Sequence, residues 1–274
     1  MLDKTAATSA LKTSRFKVPG EGSSVTISVI TVIMLVLLWF VVTNLGWIKP
    51  LFLPTPQDVF QQFYEYLTGQ ANDKPLWQHF VASILRVSIA FWAACVVAIP
   101  VGIAMGMSRV MRGIFDPPLE FYRPLPPLAY LPLIIIWFGI DEFPKVLLIF
   151  LSCFPPLALS TRAGMRSASP EQINAAYSMG ASYMQVIRHV ILPSALPEIL
   201  VGMRIAVAFG WTTLVAAEMV AANVGLGQMV LNASNFLRTD IVIMGIIVIG
   251  VIAYAFDLVM RCVEQKLVPW KGRM

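Results

Sequence analysis

Five ionisable side chains stand inside or at the edge of long apolar runs: Arg86, Glu198, Arg204, Glu218 and Asp257. A charge at bilayer depth is costly and marks a functional candidate by default. Asp257 and Arg261 are four residues apart, the spacing of a local helical ion pair. Glu198 falls at the edge of its run and is expected at the membrane interface. Arg204 lies about 9 Å deeper at helical rise, where a structural pair or a snorkelling side chain is expected. Glu218 lies about 30 Å from Glu198 by the same rise, where it could gate a path or hold a neighbouring loop.

Several uncharged groups could also contact a solute. Trp211-Thr212-Thr213 sets an aromatic face beside two hydroxyls in one run, and Tyr130 and Trp137 are seven apart, on one helical face. Hydroxyls can donate to an anion and ring faces can receive a cation. Packing between helices is the plainer account of each. Covalent chemistry has no such support. His79 and His189 fall on opposite sides of the bilayer, so no catalytic cluster and no metal site are assigned. Cys95, Cys153 and Cys262 are far apart, each in an apolar run. They are expected to be small buried apolar side chains, with no disulfide and no zinc.

The elements that must hold these residues follow from composition. The chain has 274 residues, of which 58% are hydrophobic and 13% charged, and its mean hydropathy is +0.75. Soluble domains run about 45–50% apolar and about 25% charged. A soluble enzyme and a nucleic-acid-binding module are therefore excluded, and the net charge of +5 is no sign of nucleic acid. The segment Gly22–Ile48 carries no charge and is rich in Val, Ile and Leu, enough for the roughly 20 residues that a span needs. It is longer than a signal-peptide core and no small-x-small cleavage site follows, so it is read as retained. Further spans are expected near 79–107, 127–140, 145–161, 198–221 and 240–260, six in all. Pro124, Pro126, Pro127 and Pro132 predict that the third is broken.

The basic residues test this layout. With the N-terminus inside, the inner segments hold Lys4, Lys12, Arg15, Lys17, Arg109, Arg112, Arg123, Arg162, Arg166, Arg188, Arg261, Lys266, Lys271 and Arg273. The outer segments hold only Lys49, Lys74, Lys145 and Arg238. The bias places both termini in the cytoplasm. The expected organisation is a cytoplasmic tail 1–24, a first transmembrane helix 25–47, an outer loop 48–78, a core 79–262 of five further spans, and a cytoplasmic tail 263–274. Within the outer loop, Gln57–Leu67 reads as an amphipathic helix, interfacial or part of a docking surface. Gly102 with Gly106, and Gly202 with Ala206 and Gly210, are small-x-x-x-small faces for close helix packing.

The inner loop 162–195 carries two helix-start signals. Ser169-Pro170-Glu171-Gln172 sets a capping Ser before Pro and Gln, and Ser182-Tyr183-Met184-Gln185 repeats the Ser-x-x-Gln pattern. Gly180 stands between them, where a left-handed residue must end the first helix. Two short helices are predicted, one with Ile173, Ala176, Tyr177 and Gly180 on a face, the other with Met184, Ile187, Val190 and Ile191. Neither would be stable alone, so each must pack on the spans or on a partner.

Asn174-Ala175-Ala176, Gly180, Val190 and Leu192-Pro193 fit the E-A-A-x3-G-x9-I-x-L-P loop, with Asn for Glu and Val for Ile. The chain thereby resembles the membrane subunits of binding-protein-dependent ABC importers. The likeness runs from about Pro50 to Trp270. The stretch Phe121–Asp141, Pro100–Gly106, Leu192–Ile205 and Gly210–Glu218 are similar to the sulfonate, nitrate and taurine branch. Tyr122-Arg123-Pro124-Leu125-Pro126-Pro127-Leu128-Ala129-Tyr130 and Val268-Pro269-Trp270 look most like the taurine permeases.

The resemblance implies an all-α polytopic fold of the type I importer permease class, in a bacterial inner membrane. It implies a homodimer of this chain, surrounded by lipid, with two ATPase subunits and a periplasmic binding protein. ATP and Mg would sit on the ATPase. This chain would bind no cofactor of its own, and Gly-Lys never occurs in it as a P-loop requires. The loop is implied to be the coupling helix, with Asn174, Ala175, Ala176, Tyr177, Gly180, Ala181, Met184, Arg188, Leu192 and Pro193 at the ATPase. Leu192-Pro193 is expected to end the second short helix and redirect the chain into the fifth span. The path candidates are Tyr130, Trp137, Arg204, Trp211, Thr212, Thr213 and Glu218. The expected cargo is taurine or a related sulfonate, with an alkanesulfonate or nitrate as alternatives. An ion-coupled secondary transporter would instead need midplane acids or an internal repeat.

Overall fold

A computed structural model describes residues 25–70 and 73–269. The expected tail 1–24, the first residues of the first apolar run, and Trp270, Lys271 and Arg273 lie outside the described residues. Every regular element among them is helical. Helix α1 (Val25–Asn44) is apolar on all sides and nearly wholly exposed, the pattern of a helix solvated by lipid. It stops before the expected residue 47 because the backbone turns left-handed at Gly46, φ +72°, whose N–H donates to Thr43 O at 3.2 Å. Trp39 Nε1 donates to Pro54 O at 3.1 Å, tying α1 to the loop that follows.

The predicted amphipathic helix is α2 (Pro56–Thr68). Thr55 and Asp58 form its capping box, Pro56 opens it, and Gly69 closes it at φ +71°. Helix α3 (Leu76–Met107) follows, then α4 (Arg109–Tyr122) and α5 (Pro127–Phe138). The break expected within the third span, 127–140, falls just ahead of it at 123–126, where α4 and α5 bend by 103°. Pro132 lies inside α5 without breaking it. Helix α4 corrects the sequence reading, which left 109–122 as loop. Its signal was present in Ser108, whose Oγ accepts from Met111 N–H at 3.4 Å.

Helix α6 (Glu142–Gly164) packs between α3 and α9 (Leu192–Ala221), and these three form the centre of the fold. The small residues expected to allow this do so. A Cβ on Gly102 would stand 2.5 Å from Thr161 Cβ, and one on Gly210 2.7 Å from Cys153 Sγ. Cys153 also lies 3.3 Å from the carbonyl of Ala206. Helices α10 (Leu226–Asn235) and α11 (Thr239–Leu267) follow. Among the described residues five helices are long and apolar enough to cross a membrane, and the bent pair α4–α5 would make a sixth. All three cysteines are free; Cys95 and Cys153 are buried as expected, but Cys262 is exposed. It sits on α11, which is buried only toward its N-terminal end.

Candidate functional site

The two helix starts that flank Gly180 form as the sequence predicts. Helix α7 (Pro170–Ser178) is capped by Ser169, whose Oγ accepts from Gln172 N–H at 3.3 Å while Gln172 Oε1 accepts from Ser169 N–H at 3.1 Å. The Ser169 hydroxyl also holds the Glu171 carboxyl below its usual range, which keeps a negative charge at this helix N-terminus. Helix α8 (Tyr183–Val186) begins where Gln185 Oε1 accepts from Ser182 N–H at 2.8 Å. Between them Gly180 takes φ +82°, and its N–H donates to Tyr177 O at 2.9 Å. No atom lies within 4 Å of where its Cβ would be.

Two expectations about this loop are corrected. Leu192-Pro193 does not end the second helix. A π-helical turn, Ile187–Ile191, carries α8 straight into α9, so that Tyr183–Ala221 is one continuous helix. The wider turn, with Leu192 N–H donating to Ile187 O, accommodates Pro193, which lacks an N–H to give. The predicted apolar faces also split. Ala176, Val186 and Ile191 are buried in a small core with Ala195 and Ile199, and Ile173, Ile187 and Val190 pack against it. Tyr177, Met179, Tyr183 and Met184 point outward, Met179 at 82% exposure. Asn174, Ala175, Gly180, Arg188 and Pro193 are exposed as well, whereas Ala181 and Leu192 are half-buried. A small inner core anchors this elbow, and an aromatic and thioether surface faces away from it.

The path candidates do not converge. Trp211 is buried against Phe256, their ring centroids 5.8 Å apart, and Thr213 is buried too. Thr212 is exposed and spends its hydroxyl on Phe209 O at 2.9 Å. Arg204 pairs with Asp257 at 2.5 Å, and Asp257 also takes the expected bond from Arg261 at 2.8 Å. Trp137 is exposed on α5. Tyr130 alone of the seven lines the cavity of about 370 Å³ between the α4–α5 bend, α6 and α9. Sequence reasoning missed its neighbours Glu120, Tyr122, Arg123, Ser152 and Ser160 there. The Pro-rich break directly after Arg123 was the available signal, because irregular backbone at membrane depth survives only inside protein or along a cavity.

Glu218 is fully buried, and of its two expected roles it is seen in the second, holding a loop. Its carboxylate accepts from Ser83 Oγ and Arg86 Nη1 at 2.7 Å each, and from Gly227 N–H at 2.9 Å. Arg86 also donates to Val224 O at 2.6 Å and forks onto Glu142 at 2.6 and 2.9 Å, where Lys145 joins at 2.9 Å. Ser83 Oγ accepts from Leu226 N–H at 3.0 Å. His79 Nδ1 lies 2.9 Å from Gly225 O. Two cations and two anions thus tie α3, α6 and α9 to the turn before α10.

Residues 98–269 match the family described as the binding-protein-dependent transport system inner membrane component. The chain is 51% identical over 251 residues to the taurine transport system permease protein TauC of Escherichia coli (strain K12), covering 91% of each. It is 35% identical over 240 residues to the putative aliphatic sulfonates transport permease protein SsuC of Bacillus subtilis (strain 168), covering 87% of this chain and 85% of that one. Its fold is similar to the MetNI methionine ABC transporter in an inward-facing conformation, with TM-score 0.59 and 16% identity, over 70% of this chain and 97% of that one.

Proposed function

The chain belongs to the binding-protein-dependent transport system inner membrane component family, as a multi-pass permease subunit of an ABC importer, and from that premise we propose that its cargo is taurine. The identity to the taurine permease, near-complete in coverage, supports that cargo over other sulfonates or nitrate. A homodimer of this chain forms the path, a periplasmic binding protein delivers the cargo, and two ATPase subunits carry the ATP and Mg. The basic residues support both termini in the cytoplasm, with α4 at the inner side and α5 in the third of six spans.

The observation that carries the mechanism is the continuous helix Tyr183–Ala221 with the Gly180 elbow at its start. Tyr177, Met179, Tyr183 and Met184 form the surface that an ATPase groove would grip. Closure of the ATPase dimer on ATP pushes this elbow. Because no break separates the elbow from α9, the push becomes a tilt of the central span against α6. Asn174, Ala175, Ala176, Ala181, Arg188, Leu192 and Pro193 complete the coupling site. Tyr130, Trp137, Arg204, Trp211, Thr212, Thr213 and Glu218 remain the proposed path residues, and of these Tyr130 has cavity contact on its side.

The test is ATP-driven uptake of labelled taurine in proteoliposomes holding this chain, its ATPase and its binding protein. Gly180→Arg adds a Cβ that meets none of the described residues within 4 Å, at a φ that costs about 1–2 kcal/mol for an L-residue. Uptake should need ATP and the binding protein. The variant should reach the membrane but lose uptake and co-purification with the ATPase. Wild-type uptake by Gly180→Arg would remove the coupling role. Transport of an alkanesulfonate or nitrate instead of taurine would leave the family and replace the cargo.

A further inference from the structure

The cavity between the α4–α5 bend, α6 and α9 holds four charged residues, Glu120, Arg123, Arg162 and Glu198. Two of them are satisfied internally: Arg162 binds Asp116 and lies 3.7 Å from Glu120. Arg123 and Glu198 are both exposed, and neither has an ion-pair or hydrogen-bond partner for its side chain among the described residues. One guanidinium and one carboxylate therefore line the open side of one cavity with no counter-charge from the protein. Tyr122 and Tyr130 lie beside them with their rings tilted at 41° and centroids 5.2 Å apart, and their buried hydroxyls have no hydrogen-bond partner beyond this pair among the described residues. Ser160 adds a further hydroxyl to the lining. At about 370 Å³ the cavity lies in the range of small-molecule sites.

This residue set has a definite complement. A bare anion would answer Arg123 and the hydroxyls but would approach Glu198 unfavourably. A cation would do the reverse. A short molecule with an oxyanion at one end and an ammonium at the other answers both. We propose that this cavity is a permease-borne site for an amino-sulfonate zwitterion, with the sulfonate at Arg123 and the tyrosine hydroxyls and the ammonium at Glu198. The proposal rests on the taurine-importer reading and adds to it a reason, inside the membrane subunit, to prefer taurine over an alkanesulfonate without an amine. The groups stand at the bend of the broken span and on α9, so a tilt of α9 would alter the separation of the two charges. The site would thus hold cargo in one state and release it in the other.

Binding is measured on the purified permease–ATPase complex in lipid nanodiscs, with the binding protein omitted. The probes are labelled taurine and labelled ethanesulfonate, which lacks the ammonium. A lost charge-assisted hydrogen bond weakens binding on the order of tenfold or more. Arg123→Gln should weaken both ligands by that factor. Glu198→Gln should weaken taurine by that factor and leave ethanesulfonate unchanged or tighter. Glu198→Asp should recover part of the taurine affinity, and co-elution with the ATPase checks that each variant assembles. Taurine binding unmoved by both Gln variants, absent in wild type, or lost together with ethanesulfonate in Glu198→Gln would overturn the site. ATP-driven taurine uptake by wild type in parallel vesicles separates the two readings: intact uptake with no such site leaves the importer standing, and no uptake of taurine removes the cargo on which the site rests.

Discussion

Arg86→Met is expected to destabilise the protein by about 3–5 kcal/mol, the cost of leaving a buried charge without its partner. Glu218 has no exposed surface, and Arg86 is its only cationic contact among the described residues. Ser83 Oγ and the Gly227 N–H would remain as donors, but neither carries charge. The same change frees Val224 O and releases Glu142, which stays partly solvated beside Lys145. The loss is therefore concentrated on Glu218 and on the 222–227 turn that it holds. Adding Glu218→Gln to Arg86→Met should restore much of the stability, because an amide keeps an oxygen for Gly227 N–H without a charge to desolvate. The measurement is the temperature at which the purified protein loses its monodisperse peak in detergent. An Arg86→Met protein melting within about 2 °C of wild type would show that this pair is not needed for stability.

Gly102→Ala is expected to be strongly destabilising at the centre of the molecule. The added Cβ would stand 2.5 Å from Thr161 Cβ and 2.6 Å from Ala158 O. One of those neighbours is backbone of α6, so no side-chain rotation relieves the contact. Helix α3 must move off α6, and α6 in turn packs on α9. Overpacking in a tight core costs about 1–3 kcal/mol, and more when a helix must shift. Gly250→Ala is the control, since Gly250 lies in α11 with nothing within 4 Å of its Cβ position. Alanine there should leave the melting temperature unchanged or raise it slightly, by the helix preference of Ala over Gly. Equal melting of the two variants would mean that α3 and α6 do not approach as closely as described.

The reading of residues into elements succeeded where local rules act alone. Apolar runs of span length gave the long helices, and Ser-x-x-Gln pairs around Gly180 gave the elbow, because capping and a left-handed glycine are decided within four residues. Small-residue spacing gave the close faces of α3 and α9. Helix α4 was missed because its charges and apolar residues share a short segment next to a Pro-rich break, although Ser108 marked its start. The Leu192-Pro193 stop was misread because a proline ends a helix only when no wider turn takes up the missing hydrogen bond. Cys262 was expected inside because its neighbours are apolar, but much of α11 faces outward, where apolar and exposed are compatible.

What the sequence determined by itself is the class of molecule, the places of most long helices and the elbow that precedes the longest continuous helix. Composition and short-range spacing suffice for these, since each depends on one helix and its solvent. The tertiary structure alone decided which charges meet. Arg86 and Glu218 are 132 residues apart and Arg204 and Asp257 are 53 apart, so no local pattern relates them. It also decided which groups remain unmet in the cavity, Arg123 on one element and Glu198 on another. Pairing across a bundle depends on the rotation and approach of packed helices, which glycines such as Gly102 and Gly210 permit but do not aim.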